Sequence, residues 1–71
     1  IYVGHVPSEI ELPASYGRVS SGVREATGAL VVGFREGLDE DDRVNPPDDA
    51  EVRSGALVIY LAAGAVLEPP A

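Results

Sequence analysis

Pro47-Asp-Asp-Ala-Glu-Val-Arg-Ser-Gly-Ala-Leu-Val-Ile-Tyr-Leu61 is the stretch on which the fold turns. A polar, proline-led turn runs into Val52, then a Ser54-Gly55 turn, then an unbroken apolar run from Ala56. A short run of branched and aromatic side chains bounded by turn residues reads as a strand buried on both faces. A strand leaves its backbone groups to be paired by neighbours, so this one needs a strand along each edge. The rest of the chain has to supply them.

Working outward, Ala29-Leu-Val-Val-Gly-Phe-Arg35 is the second strongly apolar strand and the first natural neighbour. Gly33 inside it marks a bulge or a close backbone approach. Ser8-Glu-Ile-Glu-Leu12 alternates polar with apolar, the period of a half-buried strand with Ile10 and Leu12 inward. It is the expected second neighbour, ended by Pro13, which cannot donate to a ladder. Ala14 to Gly17 follows as a loop. Val19, Val23 and Ala26 are spaced for one helical face. Ser20 or Ser21 can cap the start of that helix, and Gly28 suits a left-handed C-terminal cap. Gly22 costs it about 1 kcal/mol relative to Ala, so a helix of about two turns is expected. Arg43-Val44-Asn45 reads as a short returning strand, halted by Pro46-Pro47. Ile1 to Val6 reads as an edge strand or a linker remnant. Val66 and Leu67 are available to dock on the core or on a neighbouring part of a longer protein. One helix among strands in so short a chain describes an α+β domain: a small, mainly antiparallel sheet with one short helix packed on one face.

The chain has 71 residues and a net charge of −7, with five basic residues, all Arg, against twelve acids. A domain of this size buries only about 60% of its unfolded surface. Small domains lean on disulfides, metals or oligomerisation, and there is no Cys and only one His, His5. That leaves self-association or attachment to a larger protein. The lack of an initiator Met agrees with one domain, residues 1–71 with a core at 8–62, cut from a longer chain. The Arg residues are scattered among acids, which excludes a phosphate-backbone footprint and hence nucleic acid. No apolar run approaches the roughly 20 residues of a bilayer span, so direct membrane insertion is not expected.

Chemistry has little to work with. No Cys or Ser stands with His5 as a nucleophile–base pair, and the carboxylates fall on outward positions, away from the buried setting of a catalytic acid or base. Phosphate-cradling glycine motifs are absent. No catalytic residue is assigned, and an enzyme is not expected. Asp39-Glu40-Asp41-Asp42, with Asp48-Asp49, could offer oxygen ligands to Ca²⁺. The run lacks the spacing of an EF-hand, and a solvated hairpin tip that blunts an edge accounts for it. No metal site is assigned. Arg18, Arg24 and Arg35 flank the helix and end a strand, where their planar forks could hold an anion, although pairing with the surplus acids also accounts for each. The residues alone thus leave a binding or assembly module.

The order of these pieces resembles the TrkA-C, or RCK-C, domain, the C-terminal regulatory lobe of potassium channels and transporters. The likeness runs from Ile10 to Leu61: Ile10-Glu-Leu-Pro13, Tyr16-Gly-Arg-Val19 opening the helix, Arg24, then Gly28-Ala-Leu-Val-Val-Gly-Phe-Arg35. The turn at Gly37, Val44, Pro47, Val52, Gly55 and Leu57 to Leu61 complete it. Ala56 stands where the family usually has Asp, and the loop at Leu38 to Asp42 is longer than the family's usual hairpin. The resemblance implies a ligand-sensing cytoplasmic domain at the inner face of the membrane. It would pair as a homodimer and report ligand occupancy to an attached or associated channel or transporter subunit. It also implies a cyclic dinucleotide, which some relatives bind at the dimer interface, or another nucleotide as ligand, with Ca²⁺ as a further alternative. Arg24, Ala26 and Val31 match the family's ligand-binding positions, while Leu30 stands where the family has Asn. The alternative is a structural protein–protein interaction module with no small-molecule ligand.

Overall fold

The structure is a computed structural model and describes residues 1–70; Ala71, the last residue of the tail considered above, lies outside them. It is an α+β domain. Four strands form an antiparallel sheet in the order β1-β6-β3-β4: β1 (Tyr2–His5), β3 (Leu30–Arg35), β4 (Arg43–Val44) and β6 (Leu57–Leu61). The helix α1 (Tyr16–Thr27) covers one face. A two-stranded antiparallel ribbon, β2 (Ala14–Ser15) with β5 (Glu51–Val52), stands beside the helix start.

The apolar run after Gly55 is the inner strand β6, as its composition requires. One neighbour is β3, as expected. The other is β1, which pairs from Tyr2↔Tyr60 to His5↔Leu57. The alternating Ser8–Leu12 segment is not a strand. It makes a turn closed by Ile10 N–H to the Pro7 carbonyl at 3.0 Å, and Ile10 is buried as a plug while Leu12 is half-buried. Two inward side chains two residues apart satisfy the period of a strand without any ladder partner. Gly33 does mark a bulge: the β3–β6 register shifts between Val31 and Gly33. A Cβ at Gly33 would lie 2.3 Å from the Arg43 carbonyl oxygen, so only glycine lets β4 close on β3.

The helix begins earlier and runs further than its spacing predicts, over 12 residues and more than three turns. Ser15, not Ser20 or Ser21, is the N-cap, and its side chain accepts from Arg18 N–H at 3.1 Å. The preceding N–H groups are also taken: Tyr16 N–H donates to the Ala50 carbonyl at 2.8 Å and Gly17 N–H to the Asp48 carbonyl at 2.9 Å. The Pro46–Ala50 turn thus supplies the partners a helix start lacks. Ala14 and Ser15, expected within a loop, form a strand because Val52 and Glu51 lie opposite them. At the other end Gly28 adopts φ 81°, the left-handed cap foreseen, and donates its N–H to the Arg24 carbonyl at 2.8 Å. Tyr16, Val19 and Val23 face the core; Ala26, expected with them, is exposed.

The core gathers these helix residues with Ile10, Val31, Phe34, Val52, Val58, Tyr60 and Leu67. Of the two tail residues, Leu67 docks and Val66 stays exposed. Val66 N–H and Leu67 N–H donate to the Tyr60 hydroxyl at 3.0 and 3.2 Å, and His5 N–H donates to the Glu68 carbonyl at 2.8 Å. Tyr2 stacks on the Tyr60 ring with centroids 5.5 Å apart. A Cβ on Gly4 would sit 2.7 Å from Leu67 Cβ, so the glycine that interrupts the first apolar run is what lets the tail pack against β1.

Candidate functional site

The three residues that the sequence marks for ligand binding fall in three environments. Arg24 lies in the last turn of α1, exposed, with no ion-pair partner among the described residues. Ala26 is exposed and lines two adjoining grooves of about 230 and 380 Å³. Val31 is buried in the core on β3, and its carbonyl accepts from the Tyr16 hydroxyl at 3.3 Å. Arg24 and Val31 line neither groove, so Ala26 is the single candidate that faces one.

The two grooves share Pro7, Glu9 and Ala26 and together form a trough along the second half of α1. Its narrower half lies where Ile10 reaches the helix at Gly22, whose missing side chain makes room: a Cβ there would be 2.7 Å from Ile10 Cδ1. Arg18 and Glu25 stand on the helix side of this half. The wider half runs between His5, Thr27 and the tail at Glu68. Carboxylates thus outnumber the cations: Glu9, Glu25 and Glu68 against Arg18, with His5 at the far end. A phosphate group in the trough would find one arginine, Arg18, among these acids. The helix N-terminus offers an anion nothing further, because its first three N–H groups already have protein partners.

Elsewhere the polar features are structural. Arg35 Nε holds Asp42 Oδ1 at 2.7 Å, pinning the acidic loop to the end of β3. The Arg43 guanidinium carbon lies 5.0 Å from the centre of the Phe34 ring, a cation–π contact at the sheet edge. No group of three or more His, Asp or Glu side chains converges on a metal position among the described residues. Burial pushes the Tyr16 hydroxyl above its ordinary value of 10.0, and the negative charge of Asp48 adds to the shift.

Sequence reasoning had no route to Pro7, Glu9 and Glu68 as trough residues, since three separate segments bring them together. The Tyr60 hydroxyl, which fastens the tail, carried no sequence signal either. Comparison of the chain with protein-family models, with curated proteins and with solved structures finds no match in any of the three.

Proposed function

We propose that the chain is a ligand-sensing, dimerising regulatory domain of the TrkA-C type, serving a potassium channel or transporter from the cytoplasmic side. One observation carries the reading. The helix opening at Tyr16, its end at Gly28 and the strands at Leu30–Arg35 and Leu57–Leu61 follow one another in the order that the sequence resemblance implies. Arg24, which has no ion-pair partner among the described residues, and separately the trough beside Ala26 are the features of the helix open to a ligand. A ligand there would bias the attached transport protein by its differential affinity for two arrangements, typically about 1–3 kcal/mol of coupling.

A thermal-shift series with cyclic di-AMP, other nucleotides and Ca²⁺ tests it. A ligand at about 100 times its dissociation constant adds about 2.7 kcal/mol. In a domain of this size that raises the melting temperature by roughly 10 °C or more. The expected result is such a rise with one nucleotide, lost in Arg24→Ala. A flat response to every ligand would sink the sensing role.

A second reading has its own support: the carboxylates at Glu9, Glu25 and Glu68 line the trough an anion would have to use. It makes the domain a structural interaction module without a small ligand. Under it Arg24→Ala changes no binding assay, while apolar substitutions at the interface separate the partners.

A further inference from the structure

The two halves of the trough differ in where a cation stands. In the narrower half the chain supplies its own. A Cβ on Gly22 would lie 2.6 Å from Arg18 Nη1, so the guanidinium is laid across that glycine beside Ile10. The wider half, of about 380 Å³, has the exposed Glu9 and Glu68 on its rim and no Arg, His5 being its only other ionisable residue. Its floor is apolar, from the half-buried Val6 and Pro7 to the buried Leu67. Neither carboxylate has an ion-pair partner among the described residues. Three donors that could serve an anion there are already spent. The Thr27 hydroxyl donates to the Val23 carbonyl at 2.7 Å, and the Val66 and Leu67 N–H groups donate to the Tyr60 hydroxyl.

We propose that the wider half is a docking site for a basic segment of a partner protein, which sets one Arg or Lys side chain at Glu9 and Glu68. It adds a protein contact that neither functional reading names, and it is independent of the nucleotide response tested above. Charge selects the occupant. A nucleotide brings phosphates to a rim of carboxylates, and a second copy of the chain, at net charge −7, brings more acids to it. A basic side chain fits both layers of the site: its stem lies on the apolar floor while its charged head stays wet at the rim. Arg18 is disposed in this way in the other half, against Ile10 and across Gly22. From Arg18 to Thr27 the helical wall runs about 13 Å at 1.5 Å per residue. That is room for about four extended residues at about 3.3 Å each. Because Glu9 and Glu68 are exposed, pairs with them are weak and screened by salt. The contact is therefore reversible.

Selection of randomised hexapeptides on the 71-residue chain tests this, followed by anisotropy titration of the leading synthetic peptide at low and high salt. The enriched sequences should carry Arg or Lys beside an apolar residue, and binding should weaken with salt. Methyl resonances of Val6, Ala26 and Leu67 should shift on titration. The pair Glu9→Arg/Glu68→Arg reverses two exposed charges, so circular dichroism should report an unchanged fold. Its binding should fall about 10-fold or more through like-charge apposition. The pair Glu40→Arg/Asp41→Arg alters the net charge by the same amount outside the trough, and should leave binding within about 2-fold at physiological salt. Enrichment of acidic or uncharged sequences, no enrichment at all, or equal losses in the two pairs would overturn the docking site. None of these outcomes bears on the thermal response to nucleotides, which stands or falls separately.

Discussion

The two faces of the one sheet differ in what completes them. On the helix face Val58 and Tyr60 of β6 meet Val31 and Phe34 of β3, with Val19 and Val23 of the helix in the same core. On the opposite face the alternate residues of the same strands divide: Leu57 and Ile59 are buried, while Leu30, Leu61 and Val44 are exposed. Both faces are apolar because β6 is an unbroken apolar run, and a strand with two apolar faces requires cover on both. The helix meets half of that requirement. Within β6 the chain covers every side chain but Leu61, so the second face is closed at its centre and open at its Leu30–Leu61 end.

The difference can be tested by substitution, beginning with the closed face. Phe34→Ala removes a fully buried ring and the partner of both Tyr16 and Arg43. It should cost about 3–5 kcal/mol and leave the chain largely unfolded by urea titration. A loss under 1 kcal/mol would mean that the helix face is not the core. Gly33→Ala acts between the faces, forcing a Cβ against the Arg43 carbonyl and separating β4 from β3. A loss of about 1–3 kcal/mol is expected, with exchange of the Asn45 amide, now bonded to the Val32 carbonyl at 2.8 Å, accelerated first.

Tyr60→Phe keeps the stacked ring and removes the acceptor for two tail amides. Hydrogen exchange should show Val66 and Leu67 freed while the β6 amides stay protected, at a cost of about 1–2 kcal/mol. Ser15→Ala should cost about 0.5–1 kcal/mol by thermal melt, at the low end for a cap, because the Pro46–Ala50 turn still holds the neighbouring N–H groups. The pH profile gives a smaller effect. The Tyr16 hydroxyl is held above 10.0 in the folded chain, so between the unfolded and folded values the folded state keeps a proton that the unfolded state has lost. This contribution is complete below pH 10 and is lost as pH rises from there through the higher folded value. Tyr16→Phe should flatten that alkaline limb.

These results would also sort what the sequence could and could not disclose. The inner strand, its β3 neighbour, the bulge at Gly33 and the cap at Gly28 were legible because each depends on a local pattern. The second neighbour was legible only as one of two readings of Ile1–Val6, the edge strand it proves to be and a linker remnant, and was not named as the partner of β6. Ile1–Val6 is interrupted by Gly4, and the reason for that glycine, Leu67 packed upon it, lies some sixty residues away. Ser8–Leu12 carried the better strand pattern and became a plug beneath the helix, because a period of two records burial and not pairing. The helix start was misplaced for a similar reason: Tyr16 and Gly17 are fixed in helical form by carbonyls from Asp48 and Ala50. Among the marked ligand residues, Arg24 and Ala26 are open to solvent and Val31 is not, and the trough needs Pro7 and Glu68, which no spacing connects.

The two faces can be read together by following methyl resonances as the protein concentration is raised. A dimerising domain should show saturable shifts at exposed methyls, among Leu30, Leu61, Val44 and Val66, while Val19 and Val23 under the helix stay fixed. No shift at any concentration would contradict the dimerising role proposed for the domain.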